Sequence, residues 1–421
     1  MVGIGLDSWR ARSRGQAVSS GRPASGGSPR VLVITGSVGA GHDGVAAELA
    51  RRLEADGVRT ETRDFLAALP RYQRAVLRDG YALSATHVPA VFDWFFRCGE
   101  HDSLARRLTL RVCRAARPAV ARWVDEGYDA VVTTFPFAAQ TLGSLKEDGS
   151  LLAPTVCYLT DPAPHRLWVH PALDAHLTVT EATAAEGTAR YGVPMEVAGP
   201  LVPTAVGRPL DPAERRRVRA ELGIGDDRTM ALMVTGSLGM GDIVASVEAV
   251  RAAPRTVPVV LCGRNERVLR QVAALSGAVA LGWRDDVPQL LSAADVLVHN
   301  AGGLSLTEAL VAGLPAVSYE VIAGHGSANA ATLAASGLAP WPRSPAELAD
   351  ALAAQAARGR VQLPPLPSGH DAASRVAGLA RRAHASGAHC DPAFGRISAS
   401  QLGGRSTQTQ QVPQQATVTA V

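Results

Sequence analysis

The sequence holds a single lysine, Lys146, although lysine and arginine together number 42. Lys146 lies in a Lys-Glu-Asp-Gly turn, so no Gly-rich loop in this chain carries a Walker-type phosphate lysine. Cysteine is sparse and scattered: Cys98, Cys113, Cys157, Cys262 and Cys390 form no CxxC pair. That argues against a zinc site or a disulfide framework and fits a reducing compartment. No uninterrupted apolar run reaches the ~18 residues needed to span a bilayer. The Gly-, Ser- and Arg-rich segment 1–28 lacks the apolar centre of a secretory signal and reads as disordered. No Asp-x-Asp pair stands in a strand-end setting suited to a metal-bound nucleotide. Asp226-Asp227 and Asp285-Asp286 read as turn residues, and no metal site is expected.

The chain does have the length and apolar content for two domains: 421 residues, 47% of them hydrophobic. Its net charge of +4 allows attraction to phosphates or anionic headgroups without requiring either. The main organisational signal is an internal echo. VLVITGSVGAG at 31–41 returns as ALMVTGSLGMG at 231–241, each a β-branched run entering a Gly-rich turn. Strands are expected at Val58–Thr62, Ala130–Thr134, Thr155–Leu159 and Ala175–Val179, then at Val257–Leu261, Ala278–Leu281, Val296–His299 and Ala316–Tyr319. Helical segments separate them. The alternation predicts an α/β chain of two Rossmann-like, doubly wound domains, with ligands at the strands' carboxyl ends in a central cleft. The boundaries read as 29–203, a Pro-rich hinge at 204–212, a second domain at 213–386, and a disordered Gln- and Thr-rich tail at 387–421.

Several loops have more than one reading. Gly39-Ala40-Gly41-His42-Asp43-Gly44 matches GxGxxG, and Asp64 lies about where a dinucleotide fold places its ribose-binding acid. This supports an NAD-dependent oxidoreductase, or only a tight turn. His42 begins a helix whose dipole disfavours the imidazolium, so it reads as a neutral base or as a solvent-facing turn histidine. Gly236, Ser237, Gly239 and Gly241 form a second loop whose amides suit a diphosphate. In HNAGGLSLTEALVAGLP, Gly302 and Gly303 open a helix start. Glu308 there is either a ribose ligand or half of a Ser305–Glu308 capping box. Arg264 meets phosphate or is a solvated turn residue.

Taken together and in order, GSVGAGH, TDPAPHRLWVHPALD (160–174), CGRN (262–265), GWRDDVPQLLSAADVLV (282–298) and AGGLSLTEALVAGLP (301–315) resemble the monogalactosyldiacylglycerol synthase and processive diacylglycerol glucosyltransferase family. More distantly they resemble the GlcNAc transferase of peptidoglycan synthesis. The resemblance covers roughly residues 31–340. It implies a GT-B fold, with an N-terminal acceptor domain and a C-terminal UDP-sugar domain. It also implies an inverting, metal-independent transfer of a hexose from a UDP-sugar to a lipid hydroxyl, expected to be diacylglycerol. Gly302, Gly303 and Leu304 would present amides to the diphosphate, helped by Gly236–Gly241. Glu308 would hold the ribose, Arg264 would sit near the phosphates, and Trp283 would line the uracil pocket. His42 or Asp161 would take the acceptor proton, with Gly39, Gly41, Trp168 and His170 on the acceptor side. His325 and Asn329 would lie near the donor sugar. The family's Pro-Gly-Gln-Glu is here Ala323-Gly324-His325-Gly326-Ser327, so the side chains that would recognise the sugar hydroxyls are altered.

The resemblance implies no cofactor beyond the UDP-sugar substrate, no nucleic acid partner, and a cytoplasmic protein resting on the inner face of the cell membrane. Val91-Phe92-Asp93-Trp94-Phe95-Phe96, near Arg71, Arg74, Arg78, Arg106, Arg107, Arg111 and Arg114, would suit an interfacial anchor on anionic lipid. The same aromatics also read as core and the arginines as a solvated face. Transfer to a soluble acceptor, a UDP-sugar epimerase and a non-catalytic binding relative are the remaining readings.

Overall fold

A computed structural model describes residues 27–78, 89–234, 242–363 and 366–387. The first domain runs β1 (Arg30–Thr35), α1 (Ala40–Ala55), β2 (Arg59–Asp64), α2 (71–78), α3 (Pro89–Gly99), α4 (Leu104–Val124) and β3 (Ala130–Thr133). It continues with α5 (Pro136–Glu147), β4 (Thr155–Tyr158), β5 (Ala175–Thr178), α6 (Glu181–Tyr191) and β6 (Glu196–Val197). Its six strands pair in parallel in the order β2-β1-β3-β4-β5-β6. Residues of β1 such as Val31, Leu32, Val33 and Ile34 are wholly buried, because helices cover both faces of the sheet. Alternate residues enter two separate cores: Leu32 and Ile34 on one face, Val31 and Val33 on the other.

The second domain runs α7 (Pro212–Glu221), β7 (Thr229–Val234), α8 (Ile243–Ala252), β8 (Thr256–Leu261), α9 (Glu266–Ala273) and β9 (Val279–Leu281). It continues through α10 (Val287–Ala293), β10 (Val296–His299), α11 (Gly303–Val311), β11 (Ala316–Ser318), α12 (His325–Ala335) and α13 (Pro345–Arg358), and α14 (Ala372–Ala385) follows it in the chain. The strand order is β11-β10-β7-β8-β9, again parallel. Two parallel, helix-covered sheets are the expected doubly wound pair. The eight expected strands stand within about two residues of their places; β6, only two residues long, gives no periodic signal.

Three expectations need correction. The sequence places residues 372–385 in the second domain, but α14 packs on the first: Ala372, Ala373, Val376, Ala377 and Ala380 join the core formed by Val31, Val45 and Leu49. The chain therefore crosses back, and its last helix covers a face of the N-terminal sheet. A proline is expected to break a helix interior, but Pro118 lies within α4. The Ser305–Glu308 capping box is absent, because α11 starts two residues before Ser305, with Gly302 as its N-cap and no side-chain cap.

Candidate functional site

The Gly-rich loop after β1 is filled by its own carboxylates. Asp43, in the first turn of α1, accepts from Thr35 Oγ1 at 2.8 Å and Ser37 Oγ at 3.3 Å. Burial raises its pKa above the ordinary value. Asp64 accepts from the Ser37 amide at 3.2 Å and the Leu66 amide at 2.9 Å. Negative charge thus occupies the helix start where a pyrophosphate would sit, and the acid expected for a ribose caps a turn. Both features count against the dinucleotide reading. Gly36 is needed for close packing, since a Cβ there would lie 2.4 Å from the Phe135 ring.

His42 follows in α1, half-buried, with its ring against Phe135 at 5.4 Å and Trp168 at 5.8 Å. Its Nδ1 is 3.2 Å from Thr160 Oγ1. Burial holds the imidazole below its ordinary pKa, against the opposing pull of the Asp161 carboxylate. Asp161 accepts Trp168 Nε1–H on Oδ2 at 3.2 Å and Asn329 Nδ2–H on Oδ1 at 3.1 Å. Asn329, from the other domain, also donates to the Ala301 carbonyl at 3.0 Å and accepts the Ala163 amide at 3.0 Å. It is wholly buried, and its bonds to Asp161 and the Ala163 amide tie the two domains together. His325, the first residue of α12, has its pKa lowered by burial and lies in electrostatic reach of Asp161 and His42.

The start of α11 closes the other side. A Cβ on Gly303 would lie 2.1 Å from the Thr160 carbonyl oxygen, so only glycine permits this approach. Leu304 packs on α1, within 3.7 Å of a Cβ built on Gly41 and 3.2 Å of one built on Gly44. Ala301 precedes this turn at φ +67°, a left-handed conformation costly for a residue with a Cβ. Glu308, half-buried on α11, has no side-chain partner among the described residues, and burial lifts its carboxyl to about 7. With no capping role to explain it, this acid is available to a ligand.

His42, Asp161, Trp168, Gly41, Gly303, Leu304, His325 and Asn329 therefore meet across one closed cleft. Gly39 is the N-cap of α1, and a Cβ added there would meet nothing within 4 Å. Arg264 and Trp283 come together elsewhere, at the ends of β8 and β9: the guanidinium lies 4.5 Å from the ring centroid, and Trp283 is 61% exposed. Gly236, Ser237, Gly239 and Gly241 lie outside the described residues. His170 is not part of the cluster. It lines a cavity of about 510 Å³ with Arg106, Arg114, Gln140, Glu147 and Arg166. It sits over Gly143, where a Cβ would come within 2.1 Å of its ring. Thr160 and Ala301 do not stand out as site residues in the sequence. Thr160 adjoins Asp161, which is a signal for it, whereas Ala301 shows its strain only in three dimensions. Among the described residues no group of three or more acids, histidines or cysteines could hold a metal ion.

Residues 42–199 match the family model described as monogalactosyldiacylglycerol (MGDG) synthase, and residues 232–357 match that of glycosyl transferases group 1. A processive diacylglycerol β-glucosyltransferase of Bacillus cereus is 23% identical over 330 residues, spanning 72% of this chain and 79% of that protein. The protein of the same description from Bacillus mycoides is also 23% identical, over the same shares. Among solved structures, MurG of Acinetobacter baumannii is 16% identical, with a TM-score of 0.48 over 85% of this chain and 95% of that one.

Proposed function

We propose that this chain, a two-domain glycosyltransferase whose N-terminal half is of the monogalactosyldiacylglycerol synthase kind, moves a hexose from a UDP-sugar to the free hydroxyl of diacylglycerol, with inversion. The observation that carries the reading is the cleft cluster. A neutral histidine, His42, faces the other domain beside an acid held by two N–H groups, opposite a helix start open to anions.

The roles follow from the chemistry. In the tautomer that donates Nδ1–H to Thr160 Oγ1, His42 keeps a lone pair on Nε2 and takes the acceptor proton as the acceptor oxygen bonds to the anomeric carbon. The bond from that carbon to the diphosphate oxygen breaks, and UDP leaves with the extra negative charge. The amides of Gly302, Gly303 and Leu304 at the start of α11 receive that charge, doing what a metal does in other transferases. Asp161, held on Oδ2 by Trp168 and on Oδ1 by Asn329, orients and stabilises the imidazolium. Glu308 accepts the ribose hydroxyls, and closure of the cleft keeps water from the donor.

For the acceptor, the N-terminal domain presents apolar side chains to solvent from three helices: Tyr72 and Val76 on α2, Trp94 on α3, Leu104 and Leu108 on α4. Arginines 71, 74, 97, 107 and 111 stand on the same helices. That combination suits rest on an anionic bilayer surface. Of the aromatic run, Trp94 is 59% exposed, while Phe96 is turned inward against His165 at 4.2 Å. The side chains of Val91, Phe92 and Phe95 lie outside the described residues. No helix among the described residues is long and apolar enough to cross a membrane.

UDP release from a panel of UDP-sugars, with and without anionic vesicles containing diacylglycerol, tests the reading. The expected result is release that needs one sugar and the vesicles together and disappears in Glu308→Ala. Donor binding with no release on vesicles would reject the lipid acceptor.

A further inference from the structure

The segment 323–327 that follows β11 contains no glutamine or glutamate to accept hydroxyls of a donor sugar. One carboxylate nevertheless reaches it from the opposite domain. Asp93 on α3 accepts the Gly324 amide on Oδ1 at 3.1 Å, although the two residues are 231 positions apart. Its Oδ2 is 2.6 Å from an Arg97 guanidinium nitrogen one helical turn along. Asp93 is 23% exposed at its side chain and Arg97 is 73% exposed, so the arginine fixes the carboxylate from the solvent side.

Gly324 is the N-cap of α12, at φ +75°, and has no capping side chain of its own. The next residue, His325, has its ring 6.3 Å from Phe96, which lies three positions after Asp93 on the same face of α3. His325 in turn neighbours His42 and Asp161 electrostatically. Asp93 therefore stands one residue away from the cluster of His325, His42 and Asp161. The same helix is anchored below: Glu100, which follows α3, meets His165 at 3.1 Å, the Arg166 amide at 2.9 Å and the Tyr191 hydroxyl at 2.8 Å. That position is held at both ends of the helix, by Gly324 of the opposite domain and by the partners of Glu100.

We propose that Asp93 is a specificity-determining residue that accepts hydroxyls of the donor hexose, standing in for the side chains absent from 323–327. This rests on the transferase reading above. An ionised carboxylate has about four acceptor positions, so Asp93 can keep Gly324 and Arg97 and still take sugar hydroxyls. The sugar is thus read by the domain that also receives the acceptor, and the donor pocket is complete only in the closed form.

Asp93→Asn is the informative variant, because its side-chain oxygen still accepts the Gly324 amide while the charge and half the acceptor capacity are lost. Asp93→Ala removes both. Calorimetry would give the affinities of UDP and of UDP-glucose, UDP-galactose and UDP-GlcNAc for wild type and both variants. Steady-state UDP release on vesicles would give kcat/KM for each donor. The expected result is that the preference for the best hexose over the next falls roughly ten- to a hundredfold in Asp93→Asn, the worth of a hydroxyl bound to a charged acceptor. The affinity for UDP alone should stay within a factor of about two. Unchanged discrimination in the variant, or equal losses for UDP and UDP-hexose, would overturn the inference while leaving the transferase reading intact. Wild-type protein that binds no UDP-hexose would reject both. Binding without turnover on vesicles would reject the lipid acceptor, while the calorimetric preference still judges Asp93.

Discussion

Glu308 carries an energetic burden in the unliganded protein. Its carboxyl is desolvated without a compensating partner, which raises its pKa from 4.5 to about 7. A raised carboxyl pKa means the native state holds the proton more tightly than the unfolded chain does. Below about pH 4.5 both states are protonated and the site costs nothing. Between 4.5 and 7 the unfolded chain ionises first, so native stability falls as pH rises, and above 7 the loss is complete. Glu308→Gln removes the ionisation. We expect the variant to melt about 2–4 °C above wild type at pH 8, on the order of 1 kcal/mol after allowing for partial exposure, and at the same temperature at pH 4. Thermal scans at the two pH values check this, and a variant less stable than wild type at pH 8 would contradict it. Donor affinity should fall in the same variant, so stability and binding move in opposite directions. At neutral pH His42 has the opposite condition, because burial lowers its pKa and keeps the ring in the basic form.

At the scale of an element, the start of α11 is where packing and chemistry compete for the same atoms. The helix can bring its free amides into the cleft only because Gly303 lets the Thr160 carbonyl approach so closely. In Gly303→Ala the new methyl group would meet that oxygen and force the elements apart by about an ångström. We therefore expect kcat to fall by roughly a hundredfold, together with a loss of stability of about 1–3 kcal/mol from the clash with the Thr160 carbonyl. Steady-state rates paired with a melting curve test it. Wild-type turnover would show that the contact is dispensable for reaction. The strained Ala301 just before this helix serves the same placement, because its carbonyl is one of the groups held by Asn329.

At the scale of the molecule, the chain is closed by an exchange between domains. α14 leaves the second sheet and completes the first, placing Val376 and Ala377 at zero exposure beside β3. Another tie crosses the cleft directly: Thr332 donates to Glu186 at 2.9 Å. The N-terminal sheet thus depends on residues more than 300 positions away. Val376→Asp would place an unpaired charge in that core and should destabilise the protein by roughly 3 kcal/mol or more. The prediction is that the N-terminal domain melts first in the variant, as hydrogen exchange resolved along the chain would reveal. Protection lost evenly across both domains would instead make the molecule a single cooperative unit.

Much of the architecture is local in origin, and for that reason the sequence alone determined it. A fully buried parallel strand needs an apolar run, and a tight turn into a helix needs glycine, so β1, β7, β10 and their neighbours announce themselves by composition. His42 and Glu308 also stand out beside Gly-rich turns, whereas Asp161 is marked only by the family resemblance. What the tertiary structure decided depends on distance between segments far apart in the chain. It shows that Asp43 and Asp64 fill the first loop, that Ser305 does not cap α11, and that His170 faces away from the cleft. It brings Asp93 to Gly324 and sends α14 to the opposite domain. No periodicity records such meetings, since each is set by how two finished surfaces fit together.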